Sequence, residues 1–230
     1  MSDANTRLSL IETAERLFAE KGIDNVSLRE INRAAGQKNV AALHYHFGTR
    51  ESLLEAIFEH RMSGVNDHRV GMLTQLEHVA NDASVRQIVE AMVFPLTAQM
   101  ESAGGGTNYV RFLSHAISDP NVNVGQLVRN KYDQGMAQTR RIARRMLTHL
   151  PGEIVDLRIT LAGNYMVHAL ADEVRRTADT THVSAFFIAN LIDSIVGAIS
   201  APASEETLSQ FAQVSRIGAK RSTSHEPSKR

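Results

Sequence analysis

Apolar residues spaced three and four apart run through nearly the whole chain, and that spacing removes most architectures from consideration. From Leu8 onward, Leu10, Ile11, Ala14, Leu17 and Phe18 fall on one face of a helix, and Gly22 stands where a helix of that length would stop. β-Branched residues do not alternate at period two over any long run, so strands leave no comparable signal. The expectation is an all-α fold. At 230 residues the chain is long enough for a small helical unit joined to a larger one.

The next segment carries the strongest local signals. Ser27-Leu28-Arg29-Glu30 has the form of a capping box, with Val26 and Ile31 placed as a hydrophobic staple, so a second helix starts near Ser27. Ala34, Ala35 and Gly36 end it in a tight turn. Val40 to Phe47 forms a third short helix, closed by Gly48, and Thr49 caps a fourth that starts at Arg50. Two short helices joined by a glycine-containing turn make a helix-turn-helix.

Charge points the same way. Lys+Arg 25 against Asp+Glu 25 gives a net charge of +0, so the whole chain has no blanket attraction to a polyanion. Between Val26 and Arg50, however, Arg29, Arg33, Lys38 and Arg50 stand against Glu30 alone. On composition alone this also fits an ordinary solvated face. In a helix-turn-helix the start of the second helix meets base edges, which makes Gln37, Lys38 and Asn39 the expected readers; Gln and Asn suit adenine, and Lys suits guanine. Ala41 and Ala42 permit close approach and a thymine-methyl contact. His44, Tyr45, Thr49 and Arg50 are expected to hold phosphates, and Ser27 and Arg29 complete the candidate DNA-binding set. Leu28, Ile31, Leu43 and Phe47 are expected in the core.

Residues 26–54 resemble the DNA-binding signature of the TetR family of bacterial transcriptional regulators. The resemblance rests on the hydrophobic–Ser–hydrophobic–Arg–Glu–Ile opening, the Ala-Ala-Gly turn, the Tyr45-His46-Phe47-Gly48 exit and the Thr49-Arg50-Glu51 start of helix four, all in order. With the Ala14, Leu17-Phe18 and Lys21-Gly22 pattern of helix one it covers about residues 8–60. One departure is an extra residue between Gly36 and Phe47 relative to the commonest family pattern. The resemblance implies an N-terminal helix-turn-helix DNA-binding domain over 1–48, a larger helical regulatory domain over 49–200 that dimerises and binds a small effector, and a remainder at 201–230. It implies a double-stranded operator as partner, more often for repression than activation. A regulator without a small-molecule effector, controlled by abundance or a partner protein, stays open, and a helical enzyme is the remaining alternative.

Beyond residue 82 the pattern predicts helices at about 84–101, 107–117, 123–149, 153–177 and 182–200. Gly64 and Gly71 are candidate breaks in helix four, and Pro95 predicts a kink. In 153–177 one stripe holds Ile154, Leu157, Leu161, Tyr165 and His168, and another holds Val155, Ile159, Ala162, Met166 and Ala169. A helix apolar on two sides must be covered on both, and the next helix, with Ile188, Ile192, Ile195 and Ile199, shows the same excess. An intersubunit four-helix bundle of a homodimer explains the pair, with Gly163, Ala189 and Gly197 allowing close packing, and a monomeric core is the competing reading. Met92, Phe94, Met100, Tyr109, Phe112, His115, Tyr165 and His168 are candidate effector-pocket residues, because Met and aromatic lining with few polar handles suits a small molecule. Plain core is the competing reading for each. Arg140, Arg141, Arg144 and Arg145 form a basic face expected to be solvated or paired with acids. Residues 216–230 read as a disordered basic tail.

Several classes of chemistry find no support. With Cys 0 there are no disulfides and no thiolate sites, and His44-x-His46 diverges on a helix, so no metal is expected. No H-E-x-x-H, G-x-S-x-G, Walker or Rossmann pattern occurs, so neither an enzyme nor a cofactor is expected. The first twenty residues contain Asp3, Glu12 and Glu15 and no apolar stretch reaches the length of a membrane span, which predicts a cytoplasmic protein without a membrane partner.

Overall fold

The computed structural model describes residues 3–37, 42–78, 83–101, 106–129, 131–177 and 183–223, with side chains as far as Ser215, and every regular element among them is a helix. In chain order these are α1 (Asp3–Lys21), α2 (Leu28–Ala34), α3 (Ala42–Phe47), α4 (Arg50–His78), α5 (Val85–Glu101), α6 (Gly106–Ser118), α7 (Val124–Val128), α8 (Gln134–Met146), α9 (Gly152–Arg176), α10 (Ala185–Ser200) and α11 (Glu205–Thr223).

The local signals around the helix-turn-helix act as their chemistry dictates. Ser27, in extended backbone, accepts a hydrogen bond from the Glu30 amide at 3.1 Å and starts α2. Gly36 and Gly48 sit at φ 68° and 71°, a region that side chains with a Cβ disfavour, and so turn the chain before and after α3. Val26, Ile31, Leu43 and Phe47 are buried and Leu28 is partly so, making the small core expected of them.

α1 is more than a wall of that small core. Its opposite side packs on α6, where Phe18 stacks with Phe112 at 6.1 Å between ring centroids, and Phe58 of α4 meets the same Phe112 ring at 5.5 Å. The buried Glu15 of α1 accepts two hydrogen bonds from Arg61 of α4, at 2.7 and 2.9 Å. Three helices are thus bound by aromatic packing and one buried ion pair.

Three expectations about the larger unit need correction. Helix four does not break at Gly64 or Gly71: both glycines face open space, and the buried Val65, Leu73 and Leu76 hold the helix together through α4's packing on α5 and α8. The helix expected over 123–149 is two, α7 and α8. The Val128 carbonyl closes α7 by accepting from the Lys131 and Tyr132 amides, Arg129 leaves the helix at ψ 133°, and Asn66 of α4 accepts from the Gly135 amide at 2.9 Å to begin α8. A tertiary partner therefore sets where α8 starts. Finally, α11 carries helical backbone to Thr223, where composition predicts a disordered tail from residue 216; residues 224–230 lie outside the described part. Ser204 caps this helix by accepting from the Thr207 amide.

Pro95 lies inside α5 and is buried. A proline has no N–H for the carbonyl four residues back, here Ala91. Arg69 of α4 fills that place, its Nε donating to the Ala91 oxygen at 3.2 Å while Nη2 lies 3.5 Å from the Met92 oxygen.

The two apolar stripes of α9 divide between core and surface, except that Ile154 of the first stripe is buried with the second. Val155, Ile159, Ala162 and Met166 are buried, whereas Leu157, Leu161 and Tyr165 are exposed. On α10 the buried side holds Leu191, Ile192, Ile195 and Ile199, and Phe186 is 82% exposed. Among the described residues no single helix is long and apolar enough to cross a membrane; α10 and the start of α11 pass only together, across a bend of 63°.

Candidate nucleic-acid interface and the cavity behind it

Around the helix-turn-helix, α2 and α3 present a polar outer face over their buried core. Arg29 and Arg33 are exposed on α2, and a groove of about 500 Å³ runs beside them, lined by Ser27, Glu30, Asn32 and Gln37 as well. Ser27 lies within this face, although its hydroxyl is occupied as the α2 cap. Gln37 is half-buried and donates from Nε2 to the Ala35 carbonyl at 3.1 Å. Lys38, Asn39 and Ala41 lie outside the described residues, as does the extra residue of the turn if it falls among 38–41. His44 is exposed, and Tyr45 is 77% exposed with its ring edge-on to His46.

Thr49 accepts from the Ser52 amide at 3.2 Å and caps α4, as its sequence position predicts. Two residues depart from their expected places. Ala42 is buried, so its methyl belongs to the core and not to a thymine contact. Arg50 turns back from the outer face: Nη1 donates to the Ile23 carbonyl at 2.5 Å, Nη2 to the Val26 carbonyl at 2.7 Å, and the guanidinium stands 5.9 Å from the Phe18 ring centroid. Its visible work is to hold the α1–α2 connection onto α4. The signal for this role is slight in sequence, because the carbonyls it meets lie twenty-odd residues upstream.

Glu30 is exposed to two donors. The Lys21 ammonium, 2.6 Å away, and less strongly the Ser27 amide hold its carboxyl below the ordinary range. That completes the capping box with a tie to the end of α1.

Behind this unit, under α4, lies a cavity of about 580 Å³. Its wall is mainly apolar and comes from α4 through α9: Phe58, Met62, Leu96, Leu113, Val128 and Met166 are representative. None of the pocket residues expected from the sequence lines it. Met92, Met100, Tyr109 and Phe112 are fully enclosed core, His115 and His168 are half-buried, and Phe94 is partly exposed. Tyr165 faces outward on α9 beside a separate recess of about 180 Å³. The sequence pattern points to some of the right helices but to the wrong faces, because which side of α5, α6 and α9 meets the cavity is decided by packing partners remote in sequence.

Polar groups at the cavity are few. Arg69 is 3% exposed, and burial pushes its guanidinium down to about 10, which leaves it protonated at neutral pH. Arg140 donates to Thr160 at 3.4 Å, and Asp119 accepts from the Asn121 amide. The other basic residues of α8 are paired as expected: Arg141 and Arg145 with Glu77, and Arg144 with Asp156. Among the described residues no group of three or more His, Asp or Glu could hold a metal ion.

A helix-turn-helix on a larger all-helical unit is the architecture of a class, the helix-turn-helix transcriptional regulators. The family described as "Bacterial regulatory proteins, tetR family" matches residues 10–57, and "Tetracyclin repressor-like, C-terminal domain" matches residues 90–201. The chain belongs to the TetR family of transcriptional regulators. Over 53 residues it is 38% identical to the HTH-type transcriptional repressor AcnR of Corynebacterium glutamicum, a match that spans 23% of this chain and 28% of that repressor. In structure it resembles a TetR-family transcription regulator from Shewanella sp. PV-4, at TM-score 0.60 and 19% identity over 84% of this chain and 97% of that one. It also resembles GusR of Salmonella enterica, at TM-score 0.56 and 16% identity over 87% and 98% of the two chains. These likenesses speak for the fold.

Proposed function

We propose that this regulator is a homodimeric repressor that binds a palindromic operator in the cytoplasm and is released when a small molecule enters the cavity under α4. The observation that carries the reading is the placement of three arginines on one unbroken helix. Arg50 grips the α1–α2 connection, Arg61 grips Glu15 of α1, and Arg69 stands in the cavity wall. Anything that repositions α4 from the cavity is passed to the reading head through these ties.

In this reading the unit through residue 48 reads DNA and the helices from 49 to 200 sense and dimerise. Lys38 and Asn39, with Gln37, meet base edges, while Arg29, His44 and Tyr45 contact phosphates and Thr49 orients the amides at the start of α4. The exposed Leu157, Leu161, Tyr165 and Phe186 form the dimer surface, and Gly197 leaves open space on α10 for a close approach of helices. The repressor name of AcnR, similar over the reading head, favours repression over activation.

The test is selection of genomic fragments by the purified protein at fixed salt. An inverted repeat whose half-sites lie one helical turn of DNA apart, about 34–36 Å, or a multiple of it, is the expected result. Recovery of no preferred sequence would overturn the reading.

A further inference from the structure

Resting on the reading of the cavity as the effector site, we infer that its ligand is an organic carboxylate with an apolar body, whose single negative charge is received by Arg69.

The argument begins with charge balance. Arg69 is a buried cation, and among the described residues no carboxylate forms an ion pair with it. Its Nε and Nη2 are directed at backbone oxygens of α5, but Nη1 has no hydrogen-bond partner. A guanidinium withdrawn from water with one face unused is an unmet demand for an acceptor, and the demand is greatest for an acceptor that also neutralises the charge. By contrast, the other buried arginine, Arg61, is answered within the fold by Glu15. The difference is that Arg69 lies in a cavity wall.

The surroundings define the rest of the ligand. The wall offered by Phe58, Met62, Leu113 and Met166 favours a ligand with an apolar body over a small, strongly hydrated anion, which would leave that surface uncovered. Arg140, which donates to the Thr160 hydroxyl at 3.4 Å, adds a second positive group to the lining. Asp119, also in the lining, already accepts from the Asn121 amide and disfavours a ligand carrying more than one negative charge.

Gly135 has a place in the same arrangement. A Cβ there would lie 2.9 Å from Cδ and 3.1 Å from Cγ of Arg69, so the bare backbone of α8 lets the arginine stem lie in its present course. The same Cβ would lie 3.1 Å from Oδ1 of Asn66, so Gly135→Ala presses on the Arg69 stem and on the start of α8 together without removing the charge.

Calorimetric titration of the full chain, without DNA, with the matched pairs decanoate and decanamide, and 4-phenylbutanoate and 4-phenylbutanamide, tests the inference. At least one acid should bind at least tenfold more tightly than its amide. Arg69→Met should abolish that preference, and Gly135→Ala should reduce it while helical circular dichroism is retained. Equal binding of acid and amide, tighter binding of the amides, or no binding of any acid up to millimolar concentration would each overturn the inference, as would an acid preference that survives Arg69→Met. Operator titration in the presence of the bound acid addresses the regulatory reading separately. Binding at Arg69 without any change in operator affinity would leave the carboxylate site standing and remove its role in induction.

Discussion

At Arg50 and Arg29, residues of the same type have opposite placements. Arg50 is engaged with the Ile23 and Val26 carbonyls, so Arg50→Ala should destabilise the helix-turn-helix unit by about 1.5–3 kcal/mol, the range for hydrogen bonds to a charged group. Chemical denaturation followed by circular dichroism measures this, and an unchanged midpoint would refute it. Arg29 faces solvent, and Arg29→Ala should leave stability intact while lowering the slope of log affinity against log salt by about one unit on any DNA sequence. Glu30 supplies a pH test. Its folded-state carboxyl is held below the ordinary value by Lys21, so its contribution is present above the unfolded value and is lost as pH falls through the folded one. Acid titration of the wild type should show loosening of the α2 start that Glu30→Gln no longer shows. The capping box was legible in sequence because both partners lie within four residues; the carbonyl partners of Arg50 were not, because only the folded chain brings them within reach.

Among the elements, α5 and α4 share a hydrogen bond that neither could make alone. Arg69→Met should cost about 1–3 kcal/mol by stranding the Ala91 carbonyl. In the Pro95→Ala background that cost should shrink, since the substitution restores a backbone N–H to the same oxygen, giving a coupling of about 1 kcal/mol in a double-mutant cycle. Strict additivity would show that the arginine does not replace the missing amide. The helices with strong local periodicity, such as α1, α5, α6 and α9, were readable to within a few residues. The break between α7 and α8 was not, because Asn66 supplies the start of α8 from another helix. For the same reason the cavity wall escaped sequence reading: Met92 and Phe112 look no different in a pattern from Met62 and Met166.

For the whole molecule, the exposed stripe of α9 and α10 separates assembly from folding. Leu161 is 57% exposed, and Leu161→Asp should yield a folded monomer by sedimentation. Ile195, which its sequence stripe groups with the interface, is 0% exposed within one chain, so Ile195→Asp should unfold it. A dimeric Leu161→Asp would place the interface elsewhere. Effector and operator should oppose each other reciprocally, each weakening the other's binding about 5–150-fold; unequal factors at equilibrium would refute a single shared equilibrium. The uninterrupted course of α4 gives this coupling a mechanical form. Arg50 and Arg69 are separated by roughly 28 Å of helix at about 1.5 Å per residue, so a tilt of about 5° pivoting near the cavity swings the far end by about 2.5 Å. If the proposed coupling holds, a lever of that length would turn a displacement smaller than an atom into one that a base pair can register, and Gly64→Ala and Gly71→Ala, which meet open space, should stiffen it and strengthen the coupling.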